Sequence, residues 1–451
     1  MSLKKSISLV ALTSFSAGVF SCSTADNLNE VMLPTDDVSA LASSNVKSGD
    51  IVPGEFIVKY KNNSTNAASV VLNSVGAKRV KDLRTLNAQV IKLDNPATNS
   101  SDALKKIASN PNVEWVEPNR FITLPKIVKD ALDKVKSIVK KEDPVTLVPT
   151  DPFTPNDELF EKQYAHKVAQ SEKGWALAKA HSKKQSVIAI IDTGVDAEHP
   201  DLKAKMLPGY DAYGQNKENV DKQGHGTHCA GIAAAITDNK IGVAGFSPDS
   251  KIIPVKVLND NGSGTYAAVA DGIAWAAKSN ADVLSMSLGG PSSSKAIEDA
   301  VNLALKNGKI VVAAMGNDGN ERPSYPAAIP GVTAVGATDS NDKIARFSQF
   351  GKHISVSAPG VAILSTFPTY SNGIGMTNYG SISGTSMACP AVSGLAGLLK
   401  SVNPSLNGEK LREVIEKTAD DLGDKGFDKY YGHGRINVYK ALSYIVKGNS
   451  R

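Results

Sequence analysis

A serine stands at the start of a long run of small and apolar residues near the end of the chain. Ser386 lies in the segment Gly-Thr-Ser-Met-Ala at 384–388, and the run 387–399 predicts a buried helix. The small residues at 379–383 predict a turn before it. A serine in the first helical turn lies near unsatisfied backbone N–H groups, which favours a reaction that generates negative charge. The same position also suits an ordinary N-cap.

Two earlier stretches supply an acid and a base. The unbroken apolar run 187–191 is typical of a strand buried on both faces, and it ends at Asp192. Open α/β sheets place their sites at the carboxyl ends of parallel strands. The glycine-rich segment 224–231 predicts a turn that opens a helix with His225 at its start. Aspartate, histidine and serine, in this order along the chain, can form a triad in which the histidine activates the serine.

Four segments together resemble the signature blocks of subtilisin-like serine proteases, the subtilases. They are Ile-Asp-Thr-Gly at 191–194, His-Gly-Thr-His at 225–228, Ala-Ala-Met-Gly-Asn at 313–317 and the block around Ser386. The third resembles the segment that carries the family's oxyanion-hole asparagine. The similarity runs from about residue 154 to residue 442, with the blocks in family order.

This resemblance implies a serine endopeptidase that cleaves peptide bonds through an acyl-enzyme. Ser386 would be the nucleophile, His225 its general base, Asp192 the partner of the histidine and Asn317 a donor to the oxyanion. Taken singly, Asp192 also suits a solvated strand end, His225 a helix cap and Asn317 a turn.

Neighbouring residues leave two other kinds of chemistry open. Cys229 and Cys389 lie close in sequence to the triad and are expected to pack as small apolar side chains, although a cysteine is also a possible nucleophile. His225 and His228 could form a metal pair at i, i+3, but no glutamate base accompanies them as in the metalloprotease pattern. A structural hydrogen bond is the simpler role for His228.

The resemblance also implies where substrate binds. A peptide would lie as an extended strand between two backbone edges, with pockets for its side chains. Ala314, Met315 and Gly316 would form the wall of the pocket for the residue before the cut, with Ser324 near its floor. The two edges are Gly262, Ser263 and Gly264 on one side, and Ser287, Leu288 and Gly289 on the other.

A structural calcium ion is implied by similarity to the thermitase-like members of the family. Carboxylate, amide and carbonyl oxygens are the hard donors that calcium prefers. An ordinary turn with surface acids is the alternative, and the stretch 213–222 lacks the acids of a second site. The side-chain ligands would be Asp157, Asp201 and Asn239, and the carbonyl ligands would be Ile236, Ile241 and Val243.

Composition is consistent with a large globular protein. The chain has 451 residues, of which 41% are hydrophobic and 21% charged, with a net charge of +5. This mild charge does not indicate a nucleic-acid partner. From residue 151 to residue 446, apolar strand patterns alternate with helical patterns, which predicts an α/β domain with a parallel sheet and helices on both faces.

A smaller α+β unit is predicted at 53–122, from two strand–helix pairs and a closing strand at 113–118. Its element order and Val-Glu-Pro ending resemble the inhibitory propeptide of the family, which implies a self-inhibited precursor. An unrelated accessory domain is the alternative. The lysine-rich linker 123–150 contains a predicted amphipathic helix at 127–141. Maturation is expected between 121 and 149, without a definite bond.

The N-terminus has the pattern of an export segment at 1–21. Lys4 and Lys5 precede a mixed apolar stretch that is too short and too polar for a membrane-spanning helix, and Ser21 precedes Cys22. The pattern is similar to a bacterial lipoprotein signal, which implies lipidation of Cys22. An ordinary secretory signal is the alternative. Residues 22–52 are polar and predict a tether.

We therefore predict an exported, monomeric endopeptidase with protein or peptide substrates, secreted or held at the cell envelope. Its own propeptide would be its inhibitor, and any membrane contact would be through the lipid anchor. The alternative is a catalytically silent, surface-tethered module that binds peptides on the same fold. An intact triad with Asn317 favours the enzyme, because a silent module could lose these residues.

Overall fold

A parallel sheet of seven strands forms the centre of the larger part of the protein. The computed structural model describes residues 46–61, 65–95, 100–125, 128–129, 151–214 and 219–448. The strands lie in the order β13-β12-β11-β10-β6-β8-β7. They are β6 (Val187–Asp192), β7 (Tyr210–Asp211), β8 (Lys251–Lys256), β10 (Val283–Met286), β11 (Ile310–Ala314), β12 (Thr333–Thr338) and β13 (Val356–Pro359).

Alternating side chains of each strand divide the core between the two faces of this sheet. Ile188 and Ile190 of β6 join one hydrophobic cluster, whereas Val187, Ala189 and Ile191 join another. Every residue of β6 is buried, because helices cover both faces. The predicted α/β class with a parallel sheet is therefore confirmed.

Eight helices are described in this part of the chain. The first cluster contains residues of α5 and α8, and the second contains residues of α6 and α7. The helices are α3 (Tyr164–Val168), α4 (Ser171–His181), α5 (His225–Ala234), α6 (Tyr266–Lys278), α7 (Lys295–Lys306), α8 (Thr385–Val402), α9 (Gly408–Lys417) and α10 (Val438–Gly448).

An antiparallel sheet with two helices precedes the large domain. Its strands lie in the order β2-β3-β1-β4-β9. The two predicted strand–helix pairs are present, but the intervening β2 was not predicted. The elements are β1 (Ile51–Tyr60), α1 (Thr65–Val75), β2 (Ala77–Leu83), β3 (Ala88–Leu93), α2 (Ser100–Ala108) and β4 (Val113–Thr123). The last strand of the sheet, β9 (Ser263–Thr265), comes from the large domain.

Two local predictions were wrong. The segment 379–383 belongs to strand β15 (Asn378–Ser383) and is not a turn, because it pairs with β14 (Ile363–Phe367) on one side. On its other side it pairs with β5 (Val128–Lys129), which is therefore a strand and not part of a helix. At residues 128–129, the hydrogen bonds to β15 determine the backbone conformation, although the spacing of apolar residues in the sequence is typical of a helix.

Several predictions lie outside the described residues. The export segment, Cys22 and most of the tether are within 1–45, and the rest of the predicted linker helix is within 130–141. Among the helices that the structure describes, none combines the length and apolarity needed to cross a bilayer.

Candidate active site

The histidine and aspartate of the predicted triad form a buried pair. Asp192 ends β6 at the carboxyl edge of the sheet, and His225 begins α5. His225 Nδ1 lies 2.8 Å from Asp192 Oδ1, and both side chains are almost fully buried. Because Nδ1–H donates to the carboxylate, the neutral ring presents Nε2 as a base, and Nε2 has no hydrogen-bond partner among the described residues.

Charge decides the protonation behaviour of this pair. Burial opposes the charged imidazolium, but the adjacent Asp192 carboxylate favours it, and the pKa of His225 is raised well above its usual value. The ring is therefore a stronger base than a free histidine. Such a shift suits a group that must accept a proton during a reaction.

Asp221 fixes the two parts of the pair relative to each other, and the sequence analysis missed it. Its carboxylate accepts hydrogen bonds from Thr193 Oγ1 at 2.8 Å and from the backbone N–H of Thr227 at 2.8 Å. It thus joins the turn after Asp192 to the first turn of α5. The position of Asp221, four residues before His225 and close to the start of a predicted helix, was the signal in the sequence, since aspartates near helix starts often cap them.

Ser386 lies in the first turn of α8, as predicted, but its hydroxyl does not cap the helix. The Oγ–H donates to the carbonyl of Ser287 at 3.1 Å, and the cap residue is Gly384. In return, Ser287 Oγ donates to the carbonyl of Ser386 at 2.7 Å. These two hydrogen bonds hold Ser386 next to the residue that follows β10. The hydroxyl is therefore not used as the N-cap of α8.

Asn317 is oriented by the residue beside the serine. Its Oδ1 accepts from the Thr385 backbone N–H at 2.9 Å and from Thr385 Oγ1 at 2.8 Å. The amide nitrogen is therefore available as a donor. Gly316 has φ +108°, and a Cβ there would lie 1.8 Å from Gln349 Oε1, so only glycine fits before the asparagine.

A cavity of about 330 Å³ lies beside Ser386 and Asn317. Ala314, Gly316 and Ser324 line it, but Met315 does not. The prediction that Met315 forms part of the wall was wrong: it is fully buried in the second hydrophobic cluster. Strand alternation along β11 is the reason, because successive residues point to opposite faces of the sheet.

The two predicted substrate edges flank this cavity differently. Residues 263–265 form β9 and pair with the end of β4, while Gly262 accepts a hydrogen bond from the Leu124 N–H at 2.8 Å. Ser287, Leu288 and Gly289 line the cavity instead. One edge is thus occupied by the small domain, and the other borders open space.

Charged and polar contacts hold the small domain on α6 and α7. Glu117 accepts from the backbone N–H groups of Lys295 at 2.8 Å and Ala296 at 3.1 Å, at the N-terminus of α7. Lys59 pairs with Asp299 at 2.7 Å. The contacts combine a helix-end charge interaction with an ion pair between the two domains.

The side chains of the predicted calcium site converge. Asp201 Oδ1 accepts from Asn239 Nδ2 at 2.6 Å, and Asp157 Oδ2 accepts from the Asp238 N–H at 2.8 Å. Burial, together with the charge of Asp157, raises the pKa of Asp201 to about 6. Neither acid forms a salt bridge within the described residues. The predicted carbonyl donors, Ile236, Ile241 and Val243, belong to the same loop.

This donor set fits a hard cation with one adjustment. Two carboxylates in a shared site favour a cation between them. As placed, however, Asn239 turns its amide nitrogen to Asp201, while its Oδ1 accepts from the Ile241 N–H at 3.0 Å. Ligation through the Asn239 oxygen therefore requires the amide group to turn over.

Burial argues against the alternative chemistries, although Cys229 Sγ lies 3.9 Å from His225 Nδ1. His228 Nε2 lies 3.2 Å from the Gly380 carbonyl, and burial lowers the pKa of this histidine to about 3, so it is a neutral structural residue. Burial raises the pKa of the Cys229 thiol above its usual value, and it raises the pKa of the Cys389 thiol to about 12. Both remain thiols, which are poor nucleophiles.

Comparison with known proteins gives two family matches. Residues 183–434 match the subtilase family, and residues 38–119 match the fervidolysin N-terminal prodomain. Thermitase of Thermoactinomyces vulgaris is 45% identical over 65% of this chain and 100% of its own length. The thermophilic serine proteinase of Bacillus sp. strain AK1 is 37% identical over 98% of this chain and 100% of its own.

A solved structure shares the arrangement of both domains. Fervidolysin of Fervidobacterium pennivorans, described as a keratinolytic enzyme related to subtilisin, superposes with a TM-score of 0.77 at 28% identity. The match covers 88% of this chain but only 62% of fervidolysin. With the family matches and the two relatives, this likeness leads to one conclusion: the chain belongs to the subtilase family of serine proteases and carries a prodomain.

Proposed function

We propose that the protein is an exported serine endopeptidase that cleaves peptide bonds through an acyl-enzyme on Ser386. The observation that carries the proposal is the buried His225–Asp192 pair, in which His225 Nε2 has no hydrogen-bond partner among the residues that the structure describes, while Ser386 and Asn317 border one cavity. A base, a nucleophile and an oxyanion donor are thus gathered at one edge of the sheet.

In the proposed reaction, the Ser386 hydroxyl leaves the Ser287 carbonyl and passes its proton to His225 Nε2. The serine oxygen attacks the peptide carbonyl, and the Asn317 amide with the Ser386 backbone N–H stabilises the oxyanion. Asp192 stabilises the imidazolium, which then protonates the leaving amine. Water, activated by the same histidine, hydrolyses the ester and restores the serine.

A serine-directed phosphonate tests this function against the silent peptide-binding module. We expect the mature protein to gain the mass of one phosphonyl group on the peptide that contains Ser386, and to lose its peptidase activity in parallel. An active enzyme labels because its serine is activated by the base. Mature protein that binds peptides but neither labels nor cleaves them would favour the silent module.

Self-inhibition of the precursor is part of this proposal. The pairing of β4 with β9 occupies a backbone edge on which an extended substrate would lie, and Thr123, Leu124 and Pro125 line the cavity beside Ser386. A peptide substrate therefore competes with the prodomain for the same hydrogen bonds. Separation of the prodomain is needed before protein substrates can enter.

A structural calcium ion is proposed at Asp157, Asp201 and Asn239, with carbonyl oxygens of the loop 236–243. Convergence of the two acids supports it, as does the hard-oxygen character of the donors. The ion would supply charge compensation where two segments meet, one before the sheet and one after α5. It takes no part in the proposed peptide cleavage.

Removal of calcium should lower stability. An ion that binds only the folded state stabilises it by about 2.7 kcal/mol at a hundredfold excess over Kd. We expect chelator to lower the Tm of phosphonate-blocked enzyme, and Asp201→Asn to remove most of that difference. The exposed Asp424→Asn is the matched control. Equal Tm values of the blocked enzyme with calcium and with chelator would contradict a bound ion.

Export is proposed from the sequence of the first 22 residues, with lipidation at Cys22. The basic residues, the apolar stretch and the small residue before the cysteine support it. Such an anchor would place a monomeric protease at the cell envelope, where protein and peptide substrates are available. The intact mass of the exported precursor tests the anchor, because lipidation makes Cys22 the first residue and adds acyl chains.

A further inference from the structure

The edge of the central sheet opposite the proposed active site is covered by lysine-rich segments. The neighbouring strands β6, β10 and β11 all begin at this edge, because they are parallel. Three of the segments lead into these strands, and the fourth connects α8 to α9. We call the surface that they form the basal face; it consists of residues 179–186, 278–282, 306–309 and 400–409.

Hydrogen bonds join the four segments into one surface. Lys184 donates through its backbone N–H to the Ser401 carbonyl at 3.4 Å and through Nζ to Asp282 Oδ1 at 3.0 Å. Lys309 Nζ donates to the Ala281 carbonyl at 2.6 Å. The basal face is therefore continuous, although its parts are far apart in sequence.

Charge on the basal face is strongly unbalanced. Its segments contain seven lysines but only two acidic residues, Asp282 and Glu409. This excess of five positive charges equals the net charge of the whole chain of 451 residues. Positive charge is thus concentrated on one face, while the acidic and basic residues of the remaining chain balance each other.

Little of this charge is neutralised within the described part of the chain. Lys184 pairs with Asp282 at 3.0 Å. Lys183, Lys278 and Lys306 are exposed, and none of them forms an ion pair with a described residue. These three ammonium groups are therefore available to an external anion.

Helix dipoles account for only part of the excess. Lysines near helix C-termini complement the partial negative charge there, and α4, α6, α7 and α8 all end at the basal face. Each C-terminus supplies a charge of about −0.5, so the four together cancel less than half of the excess. Most of the positive charge is therefore not explained by the helices.

Two of the lysines are held close to like charge. Lys309 Nζ donates to the Ser279 carbonyl at 3.0 Å, and Lys400 Nζ donates to the Leu406 carbonyl at 2.6 Å. Burial lowers the pKa of both lysines, and the charge of Lys184 adds to this effect although Asp282 opposes it. An anion beside these groups would relieve their mutual repulsion.

The residue types on the basal face favour a lipid surface over a protein partner. Among the described residues, none of the exposed large apolar side chains lies in these segments, whereas protein interfaces use aromatic and apolar anchors. The segments also contain no arginine, the residue that binds phosphate through two parallel hydrogen bonds. Clustered lysines are typical of diffuse attraction to anionic headgroups.

We propose that the basal face binds the surface of an anionic phospholipid bilayer. Ser386 and Lys400 lie at opposite ends of α8, fourteen residues or about 21 Å apart. The substrate cleft therefore faces away from the bilayer and stays open to substrate. The lysines are exposed with the prodomain in place, so the precursor binds as well, and the contact does not need an acyl chain on Cys22.

Vesicle sedimentation tests this surface on the full-length chain. The chain carries Ser386→Ala, which prevents proteolysis, and Cys22→Ala, which prevents acylation. Vesicles of phosphatidylglycerol with phosphatidylcholine are compared with vesicles of phosphatidylcholine alone. We expect more protein to sediment with the anionic vesicles, and we expect this excess to disappear at high salt, because salt screens exposed charges.

Two triple variants of this chain locate the binding surface. Each lysine near an anionic bilayer contributes a factor of about five to the partition coefficient. Removal of three charges from the basal face should therefore lower the partition coefficient about a hundredfold, through Lys183→Gln, Lys278→Gln and Lys306→Gln. The matched control should bind as the parent chain does; it changes exposed lysines in the loops after β7, β12 and α9, through Lys222→Gln, Lys343→Gln and Lys425→Gln.

Each contrary outcome overturns a stated part of the inference. Equal partition coefficients for the two triple variants would show that the basal face does not bind the bilayer. Equal sedimentation with anionic and neutral vesicles would rule out charge as the cause. Binding to DNA or polyglutamate without binding to vesicles would mean a different class of partner. All these proteins lack the Ser386 hydroxyl, so none of the results bears on the proposed peptidase function.

Discussion

Ser386→Ala is expected to abolish proteolysis and to leave the protein as uncut precursor. Removal of the nucleophile from such a triad lowers kcat on the order of 10⁶-fold. The fold should survive, because within the described part of the chain the hydroxyl makes one hydrogen bond, to the Ser287 carbonyl, and the Ser386 backbone carbonyl keeps its bond from Ser287 Oγ. Hydrolysis of a peptide substrate and the intact mass of the product measure the two effects.

A matched exchange separates the loss of the nucleophile from a general effect of serine removal. Ser405→Ala changes an exposed serine in the loop before α9 and should mature and hydrolyse peptide as the wild type does. Ser386→Ala protein that still hydrolyses peptide at a wild-type rate, in a preparation free of other proteases, would rule out Ser386 as the nucleophile.

Asp192→Asn is expected to lower kcat about 10⁴-fold with little change in structure. The asparagine can occupy the same volume, but it does not fix Nδ1–H of His225 as a carboxylate does, and it carries no charge to stabilise the imidazolium. Nε2 is then no longer held as the base that faces the serine proton. Single-turnover hydrolysis of a peptide ester measures the loss.

The same variant should also shift the pH dependence. Burial opposes a charged His225, whereas the Asp192 carboxylate favours it and helps to hold the pKa of this histidine well above its usual value. Because the base must be neutral, wild-type kcat/KM falls as the pH drops through this raised pKa. Without the carboxylate the pKa of His225 decreases, so the acidic limb of the pH profile of kcat/KM moves to lower pH. Asp339→Asn, in a loop after β12, is the control and should keep the wild-type limb.

A lower rate without a shifted limb would contradict the electrostatic role of Asp192. It would mean that the carboxylate only orients the ring. A shifted limb with a wild-type rate would contradict the role in orientation. The two readouts therefore separate the two contributions that one buried carboxylate makes to its histidine.

The central sheet and the convergence of Asp192 and His225 could be predicted because their sequences are locally decisive. An unbroken apolar run such as 187–191 is typical of a strand that is buried on both faces. The polar residue that ends the run, Asp192, then lies at the carboxyl edge of the sheet. Glycine-rich turns then placed His225 and Ser386 at helix starts. These features depend on residues close in sequence, so the sequence was sufficient for them.

Other features depend on partners far away in sequence. Most residues of segment 378–383 are polar or small, which does not indicate a strand by itself. The segment becomes strand β15 because it pairs with β14 and β5. The positions of Asp221 and Ser287 matter through hydrogen bonds that only the folded chain brings together. Met315 was assigned to the cavity wall together with Ala314, but the two residues are neighbours in an extended segment. Their side chains therefore point to opposite faces of the sheet.

One strand, β9, belongs to the sheet of the prodomain and is also the proposed backbone edge for an extended substrate. Under the self-inhibition proposed above, a prodomain that has separated could rebind the same edge on any copy of the enzyme. A population of such molecules would then activate collectively, because each active copy that digests a free prodomain would remove an inhibitor from all the others. Activation would show a lag followed by a sharp rise, so the onset of proteolysis would be a property of the population.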